Sequence, residues 1–220
     1  QQGWQVAATL RQPQKAPEAL QHPNIKCFAL DVTSTESVTT AIEAIINTFG
    51  RIDVLVNNAG YGVDGVFEAM DDDIIAQQFN TNVFGLMRVT RAVIPIMRQQ
   101  QAGTIIQISS MGGRVTFPLF SIYHGTKWAV EGFSESLQYE LEPFNIRVKL
   151  IEPGAIKTDF YGRSRTFINK TELPYNNYVE KITRFAQKAG EQGLSPQKVA
   201  QRIYQAALSP SKRMRYAIGY

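Results

Sequence analysis

Three residues near the middle of the chain have types and spacing suited to proton transfer. Tyr123 and Lys127 lie four positions apart in a stretch of helical period, which places both side chains on one helix face. Ser110 ends an apolar strand thirteen positions before the tyrosine. A free phenol, with a pKa of about 10, is a poor acid–base catalyst near neutrality, whereas a nearby ammonium group stabilises the phenolate. Because the serine hydroxyl can hydrogen-bond a substrate oxygen, the set suits carbonyl reduction; the alternative is a packed tyrosine beside a solvated lysine.

These residues resemble the hallmark of the short-chain dehydrogenase/reductase family, a serine, twelve residues, a tyrosine, three residues and a lysine. The resemblance implies hydride transfer between a nicotinamide cofactor and a carbonyl/alcohol pair, with Tyr123 as the general acid/base. It gives Lys127 a second role, binding the hydroxyls of the nicotinamide ribose. Asn82 stands in a segment like the family's Asn-Val-x-Gly, where the asparagine helps to hold a water in a proton relay to the lysine. An incidental polar residue, with Asn80 equally available, is the alternative.

Two motifs that follow strands are similar to the family's cofactor contacts. Asn-Asn-Ala-Gly follows an apolar strand, and the resemblance implies that Asn58 holds neighbouring strands together while Ala59 and Gly60 line the adenosine ribose. Asp31 would accept from the adenine amino group, with Val32 beside the ring. A second N-cap carboxylate for the following helix is the alternative for the aspartate.

A third motif, Pro-Gly-x-x-x-Thr, begins at Pro153 after the strand predicted at 147–152. Pro153 and Gly154 form a turn in either interpretation. By resemblance, Ile156 and Thr158 contact the nicotinamide carboxamide and fix which face of the ring offers hydride.

The choice of cofactor depends on the end of the strand predicted at 4–10, where Arg11 follows Thr-Leu. Enzymes that select NAD tend to place an acid there for the ribose 2′-hydroxyl. Here an arginine suits a 2′-phosphate, so NADP(H) is predicted over NAD(H); a solvated arginine at a strand end is the alternative.

Strand-length apolar runs alternate with helical stretches, which predicts a single Rossmann-like domain over 1–220 with a doubly wound parallel sheet. Its helices begin at recognisable signals, such as a capping box of Thr33 and Glu36. The segment 159–193 is weakly periodic and is predicted to be a substrate-binding lid. Predicted strands cover 4–10, 25–32, 52–57, 104–109, 147–152 and 215–219. Predicted helices cover 71–100, perturbed at Pro95, and 122–142 and 195–208, besides the one after the capping box.

Composition limits the other possibilities. A net charge of +4 without a basic stripe, 44% hydrophobic residues and a single cysteine favour a cytoplasmic enzyme with no nucleic-acid partner, no membrane span, no metal site and no disulfide. The resemblance implies a homodimer or homotetramer. The substrate is expected to be apolar, as in the branch related to 17-beta-hydroxysteroid and retinol dehydrogenases. Its predicted pocket consists of Phe117, Pro118, Leu119, Phe160, Tyr161 and Phe167.

The family's first strand and its glycine-rich pyrophosphate loop have no counterpart in this sequence. We expect that both belong to an N-terminal piece that is missing here. Two other functions stay open: a non-catalytic nucleotide-binding redox sensor or scaffold, and a different reaction on the same fold, such as epimerisation or dehydration.

Overall fold

The computed structural model describes residues 3–157, 165–191 and 193–219. Strands and helices alternate along it, and every strand pairing described is parallel. The strands are β1 (Val6–Leu10), β2 (Ile25–Ala29), β3 (Val54–Asn57), β4 (Gly62–Gly65), β5 (Gly103–Ile108), β6 (Ile146–Pro153), β7 (Arg165–Ile168) and β8 (Arg215–Ile218). The helices are α1 (Thr35–Phe49), α2 (Asp72–Phe79), α3 (Leu86–Gln100), α4 (Ser121–Leu141), α5 (Asn176–Glu191) and α6 (Pro196–Leu208).

The predicted Rossmann-like α/β architecture is confirmed, with its sheet in two hydrogen-bonded parts. Four strands pair in the order β3-β5-β6-β8, while β1 pairs with β2. Ile105 and Ile106 of β5 and Leu150 and Ile151 of β6 are fully buried, as expected for parallel strands covered on both faces. The carboxyl ends of these strands therefore lie along one edge, where doubly wound folds bind their ligands.

The N-cap of α1 lies one position later than the predicted capping box requires. Ser34 is the N-cap, and its hydroxyl accepts from the backbone N–H of Ser37 at 3.2 Å. The third helical position is therefore a serine, and Glu36 lies one residue too early to complete the box. At the other end Gly50 adopts φ 74°, the left-handed conformation in which a glycine commonly ends a helix.

The helix predicted over 71–100 is divided into α2, a π-helical turn at Asn80–Gly85, and α3. Asp71 caps α2 by accepting from the N–H of Ile74 at 2.8 Å. Pro95 lies inside α3. Such turns often occur at functional sites, and this one contains Asn82, one of the predicted site residues.

Three of these elements, β4, β7 and α5, were absent from the sequence-based prediction. The strands β4 and β7 form a separate parallel pair, in which Gly62 is opposite Arg165. The helix α5 occupies 16 residues of the segment predicted to be weakly periodic. Its described apolar side chains, at Val179, Ile182 and Ala186, are spaced by three and four positions, but polar neighbours dilute that pattern.

The main core lies between the sheet and the helices α1, α3 and α4, with Phe28, Val93, Met97, Ile105 and Val148 among its buried members. No helix in the described ranges is both long enough and apolar enough to cross a membrane.

Candidate active site

Ser110 lies two residues beyond the end of β5, at the N-cap of a short 3₁₀ turn, Met111–Gly113. Its hydroxyl accepts from the backbone N–H of Gly112 at 3.0 Å. This bond fixes the side chain at the carboxyl edge of the sheet. The predicted position of Ser110 at the end of a buried strand is therefore observed.

Tyr123 and Lys127 lie on the first turns of α4, which begins at Ser121. The Lys127 Nζ atom is 5.7 Å from the centroid of the Tyr123 ring, so the spacing of four residues brings the two side chains together as predicted. The ammonium group donates to the carbonyl oxygen of Ile108 at 2.9 Å, and only 9% of the lysine is exposed. This contact anchors α4 to the end of β5, next to the serine.

Burial lowers the pKa of Lys127 to about 8, and the nearby carboxylate of Glu131 partly opposes that shift. The group is therefore mostly an ammonium ion at neutral pH. A buried cation at this distance favours negative charge on a phenol oxygen. The charge on the lysine thus has the sign that a catalytic tyrosine would need.

Asn82 is buried in the π-turn and contacts α4 through Thr126. Its amide nitrogen donates to the carbonyl oxygen of Tyr61 at 2.8 Å and to the Thr126 hydroxyl at 3.2 Å, while its oxygen accepts from the N–H of Tyr61 at 3.0 Å. The Thr126 hydroxyl donates in turn to the carbonyl oxygen of Tyr123 at 2.7 Å. Asn82 therefore fastens the loop after β3 to the helix that carries the tyrosine and the lysine.

The Asn-Asn-Ala-Gly motif divides its roles differently from the prediction. The buried Asn57 holds the strands together, because its amide donates to Gln107 of β5 and to Thr90 of α3, both at 2.8 Å. The strand-bridging role expected of Asn58 belongs to its neighbour, since alternate residues of a strand face opposite sides and Asn58 lies exposed beyond the strand end.

The rest of that motif lies on the cavity side. Asn58 and Gly60 line the cavity described below, and Ala59 lies exposed between them. At Gly60 an added Cβ would lie 3.1 Å from the Asn82 side-chain oxygen, so the glycine permits the loop to approach the π-turn closely.

The predicted adenine-side residues lie at the carboxyl ends of β1 and β2. Arg11 is exposed directly after β1, while Asp31 lies two residues beyond β2, which is shorter than predicted. The Asp31 carboxylate accepts from the hydroxyl and the backbone N–H of Thr33, at 2.7 and 2.9 Å. These two hydrogen bonds, with help from Arg11, lower the pKa of Asp31. The N-cap of α1 is Ser34, so Asp31 does not fill that role.

Val32 follows at the start of the loop to α1 and packs partly buried against the main core. Its methyl group leaves no room for a side chain at Gly85, where a Cβ would lie 2.7 Å away. Val32 therefore contacts the π-turn.

The turn after β6 also lies at the carboxyl edge. Pro153, Gly154 and Ile156 line the cavity, and Ile156 pairs with Leu194. At Gly154 a Cβ would lie 2.0 Å from the carbonyl oxygen of Gly219, which explains the glycine at this position. Thr158, the remaining predicted residue of the motif, lies outside the described residues.

One cavity of about 770 Å³ brings most of these groups together. Ser110, Tyr123 and Lys127 line it, but Arg11, Asp31 and Val32 are not among its lining residues. Much of the remaining wall is apolar and comes from the segment after Ser110, from α5 and from α6. These wall residues are Met111, Phe117, Pro118, Phe120, Ile182, Ala186, Val199, Ala200 and Ile203.

The predicted substrate pocket is therefore only partly correct. Phe117 and Pro118 line the cavity, whereas Leu119 packs into a separate cluster with Val66 and Val179, and Phe167 is 38% exposed. Phe160 and Tyr161 lie outside the described residues. The contribution of α5 and α6 was missed because pairing between distant elements leaves no local pattern in the sequence.

His124 is a wall residue that sequence reasoning did not select. It is buried between Phe117 and Phe120, and its Nδ1 atom accepts from the N–H of Phe117 at 3.3 Å. Burial lowers its pKa, which keeps the ring neutral near pH 7. Its place directly after Tyr123 was the available signal.

A buried ion pair fixes β7 beside this site. The Asp64 carboxylate is fully buried and is bound by the Arg165 guanidinium through two nitrogens, with the Nε–Oδ1 distance at 2.5 Å. The guanidinium also stacks over the Phe120 ring, 5.5 Å from its centroid. Through Arg165, β7 therefore contacts Phe120 of the cavity wall.

A model of the short chain dehydrogenase family matches residues 1–169. The chain belongs to the short-chain dehydrogenase/reductase family of oxidoreductases. An uncharacterised oxidoreductase of Schizosaccharomyces pombe is 40% identical over 96% of this chain and 88% of its own length. A 3-ketodihydrosphingosine reductase of Bacteroides thetaiotaomicron is 34% identical over 100% and 80% of the two lengths. Human 17-beta-hydroxysteroid dehydrogenase type 1 is 32% identical over 97% of this chain and 63% of its own.

Solved structures agree with the family assignment. A short-chain dehydrogenase from Streptomyces avermitilis superimposes with a TM-score of 0.86 at 34% identity, covering 99% of this chain and 80% of that one. The structure of ElxO with NADP bound gives a TM-score of 0.78 at 27% identity, covering 97% and 86%. The resemblance drawn from the serine, tyrosine and lysine spacing is thereby confirmed.

Proposed function

We propose that this protein reduces a ketone or aldehyde with NADPH, or oxidises the corresponding alcohol with NADP⁺, using Tyr123 as the general acid/base. One observation carries the proposal: Ser110, Tyr123 and the buried ammonium group of Lys127 line the same cavity at the carboxyl edge of the sheet. A protein that only bound a nucleotide would not need a phenol beside a buried cation.

In the reductive direction, the Tyr123 hydroxyl donates a proton to the carbonyl oxygen of the substrate, and the phenolate that remains is stabilised by Lys127. The Ser110 hydroxyl donates a hydrogen bond to that same oxygen and orients it. Asn82 positions the helix through Thr126 and Tyr61. The hydride itself is the chemistry that NADPH supplies when bound.

The turns at the strand ends fit a dinucleotide. Gly60 after β3 and Gly154 after β6 bring backbone to the cavity without side-chain bulk, and Asn58 and Pro153 line it beside them. Lys127 would bind the nicotinamide ribose, and Ala59 would lie along the adenosine ribose. Ile156 and Thr158 would lie beside the carboxamide.

The adenine amino group would donate to the Asp31 carboxylate, and Val32 would lie beside the ring. A 2′-phosphate would meet Arg11, which lies exposed at the end of β1 with no acidic residue in the strand before it. The related ElxO structure, with NADP bound, agrees with this preference.

The substrate is proposed to be an apolar carbonyl compound. Phenylalanine, proline, isoleucine and valine side chains make up much of the cavity wall, and burial of apolar surface would hold such a molecule. Two relatives are named for reactions on sphingoid and steroid compounds. Segment 159–193, which includes β7 and all of α5, is proposed to cover the bound substrate.

The test begins with a fluorescence titration of the full-length protein with NADPH and with NADH, followed by a panel of apolar and polar ketones. We expect tighter binding of NADPH and oxidation that depends on the ketone. Tyr123→Phe should keep nucleotide binding and lose activity by roughly 10²-fold or more. Tyr139→Phe is the matched control, because Tyr139 lies 71% exposed on the same helix. Failure of the folded protein to bind either nucleotide would overturn the proposal.

A further inference from the structure

The cavity wall carries a hydrogen-bond donor that the mechanism above does not use, on the imidazole ring of His124. This residue is 5% exposed, and it lines the cavity directly after Tyr123. Its ring stacks on Phe120, with the centroids 5.7 Å apart and 24° between the planes. The ring also meets Phe117 edge to face, again with the centroids 5.7 Å apart. These two contacts hold the imidazole in one orientation.

The hydrogen bonding of the ring decides which of its nitrogens carries the proton. The Nδ1 atom accepts from the backbone N–H of Phe117 at 3.3 Å. Burial lowers the pKa of His124, so the ring is uncharged at neutral pH. An uncharged imidazole has a single N–H, and the nitrogen that accepts is not the one that donates. The proton is therefore on Nε2, for which the described part of the chain supplies no acceptor.

The Nε2 edge of the ring lies beside the serine of the catalytic set. At Gly112 an added Cβ would lie 2.6 Å from the Cδ2 atom and 3.0 Å from the Nε2 atom of His124. The same Cβ would lie 3.4 Å from the hydroxyl oxygen of Ser110. The glycine therefore lets the imidazole pack against the Ser110 turn, and the Nε2 donor lies within two short contacts of the serine hydroxyl. All three residues line the cavity.

We propose that His124 is a specificity-determining residue whose Nε2–H donates to a second oxygen of the substrate. This inference rests on the proposed function, because Ser110 then fixes where the reacting carbonyl oxygen lies. Two donors this close hold their acceptor oxygens only a few ångströms apart, which is the spacing of oxygens on adjacent or alternate carbons. The substrate class is therefore an apolar ketone or aldehyde with a hydroxyl or second carbonyl group one or two carbons from the reacting one.

The surroundings of the donor make it selective. The neighbouring wall residues Met111, Phe117 and Phe120 are apolar, and the stacked ring cannot turn its N–H away without losing its contacts. A bound substrate displaces water from Nε2. If that substrate has no acceptor at this place, the donor stays buried and unpaired, which weakens the binding of that substrate.

The test uses the full-length protein, NADPH and three linear ketones of equal chain length. One ketone is plain, one has a hydroxyl group on the carbon next to the carbonyl group, and one has it on the following carbon. A hydroxyl group also alters the reactivity of a ketone. The measured quantity is therefore the ratio of kcat/KM for each hydroxylated ketone to that for the plain one, compared between variants.

Two variants separate the two nitrogens of the ring. His124→Asn keeps an acceptor near the position of Nδ1 but does not reach that of Nε2, whereas His124→Gln places an amide N–H near Nε2. For at least one hydroxylated ketone, we expect the ratio to fall roughly tenfold in His124→Asn and to recover in His124→Gln. His22→Asn, at an exposed histidine that does not line the cavity, is the control and should keep the ratio.

NMR of protein labelled with nitrogen-15 histidine tests the position of the proton without turnover. The sequence has two histidines, so the signals that disappear in His124→Asn belong to His124. We expect an uncharged ring with its proton on Nε2. A charged ring, or a proton on Nδ1, would overturn the proposal.

The kinetic outcomes distinguish this proposal from the proposed function. Equal ratios in the unmodified protein and in His124→Asn, with all three ketones reduced, would overturn the role of His124 and leave the reductase function standing. If the folded, full-length protein reduces no ketone at all, the proposed function fails, and the specificity role fails with it.

Discussion

Gly154→Ala is expected to damage both the fold and the proposed cofactor site, because the space beside this glycine is filled by backbone. A Cβ would lie 2.0 Å from the carbonyl oxygen of Gly219 and 2.7 Å from its carbon. Ordinary contacts between carbon and oxygen are about 3.3 Å or longer, so the ends of β6 and β8 must separate by roughly 1 Å. That shift also strains the hydrogen bond from the Gly154 N–H to the carbonyl oxygen of Ile218, at 2.8 Å.

Overpacking of this kind costs about 1–3 kcal/mol, and the strained hydrogen bond adds about 1 kcal/mol. We therefore expect Gly154→Ala to lower the free energy of unfolding by about 2–4 kcal/mol in urea. A shift of about 1 Å at the cavity wall should also reduce kcat/KM by roughly 10²-fold. The matched control is Gly132→Ala, at an exposed position inside α4 with nothing within 4 Å. It should gain about 1 kcal/mol and keep its activity. Equal stability and nucleotide affinity in Gly154→Ala and the unmodified protein would refute this reasoning.

Two further predictions concern buried lysines. Lys149 is 1% exposed, and its ammonium group donates to the carbonyl oxygens of Ala206 and Ser209 at the end of α6, at 2.8 and 2.6 Å. Lys149→Met should therefore lower the free energy of unfolding in urea by about 2 kcal/mol. An unchanged value would mean that these two hydrogen bonds do not contribute to stability. The pKa of Lys127 is about 8 in the folded protein and 10.5 for the free group. Between pH 8 and 10.5 the unfolded chain therefore binds more protons than the folded protein. Stability should rise with pH across that window by about 3 kcal/mol more than in Lys127→Met, and parallel curves for the two proteins would contradict the lowered pKa.

Features with a local cause could be predicted from the sequence. The central strands follow from apolar runs such as that of β6. The helix predicted over 122–142 is α4, which ends at Leu141, just before Pro143. The active-site spacing also depends only on helix geometry, because Tyr123 and Lys127 are one turn apart. Each of these predictions needs no knowledge of which distant segment packs nearby.

What was missed depends on contacts between distant parts of the chain. The pairing of β4 with β7 joins residues about a hundred positions apart. The sequence Gly62–Gly65 also lacks the alternation of apolar and polar residues that would predict a strand. The bridging role of Asn57 instead of Asn58 depends on which of the two faces Thr90 and Gln107, residues that are distant in the sequence. Glu131 and Glu152 both contact Arg215 only because α4, β6 and β8 pack together, so neither acid is distinctive in the sequence.

The central claim is that hydride passes between a nicotinamide and a carbonyl carbon in the cavity that holds Tyr123. It is tested most directly with NADPH deuterated at the transferred position of the nicotinamide ring and an apolar ketone that the protein turns over. We predict one deuterium on the carbinol carbon of the product, and formation of that product about 10²-fold or more slower by Tyr123→Phe. The nicotinamide C4 of NADPH carries two hydrogens, and each can be labelled in turn. A product that lacks deuterium with both labelled cofactors, or equal rates for the two proteins, would contradict hydride transfer in this cavity.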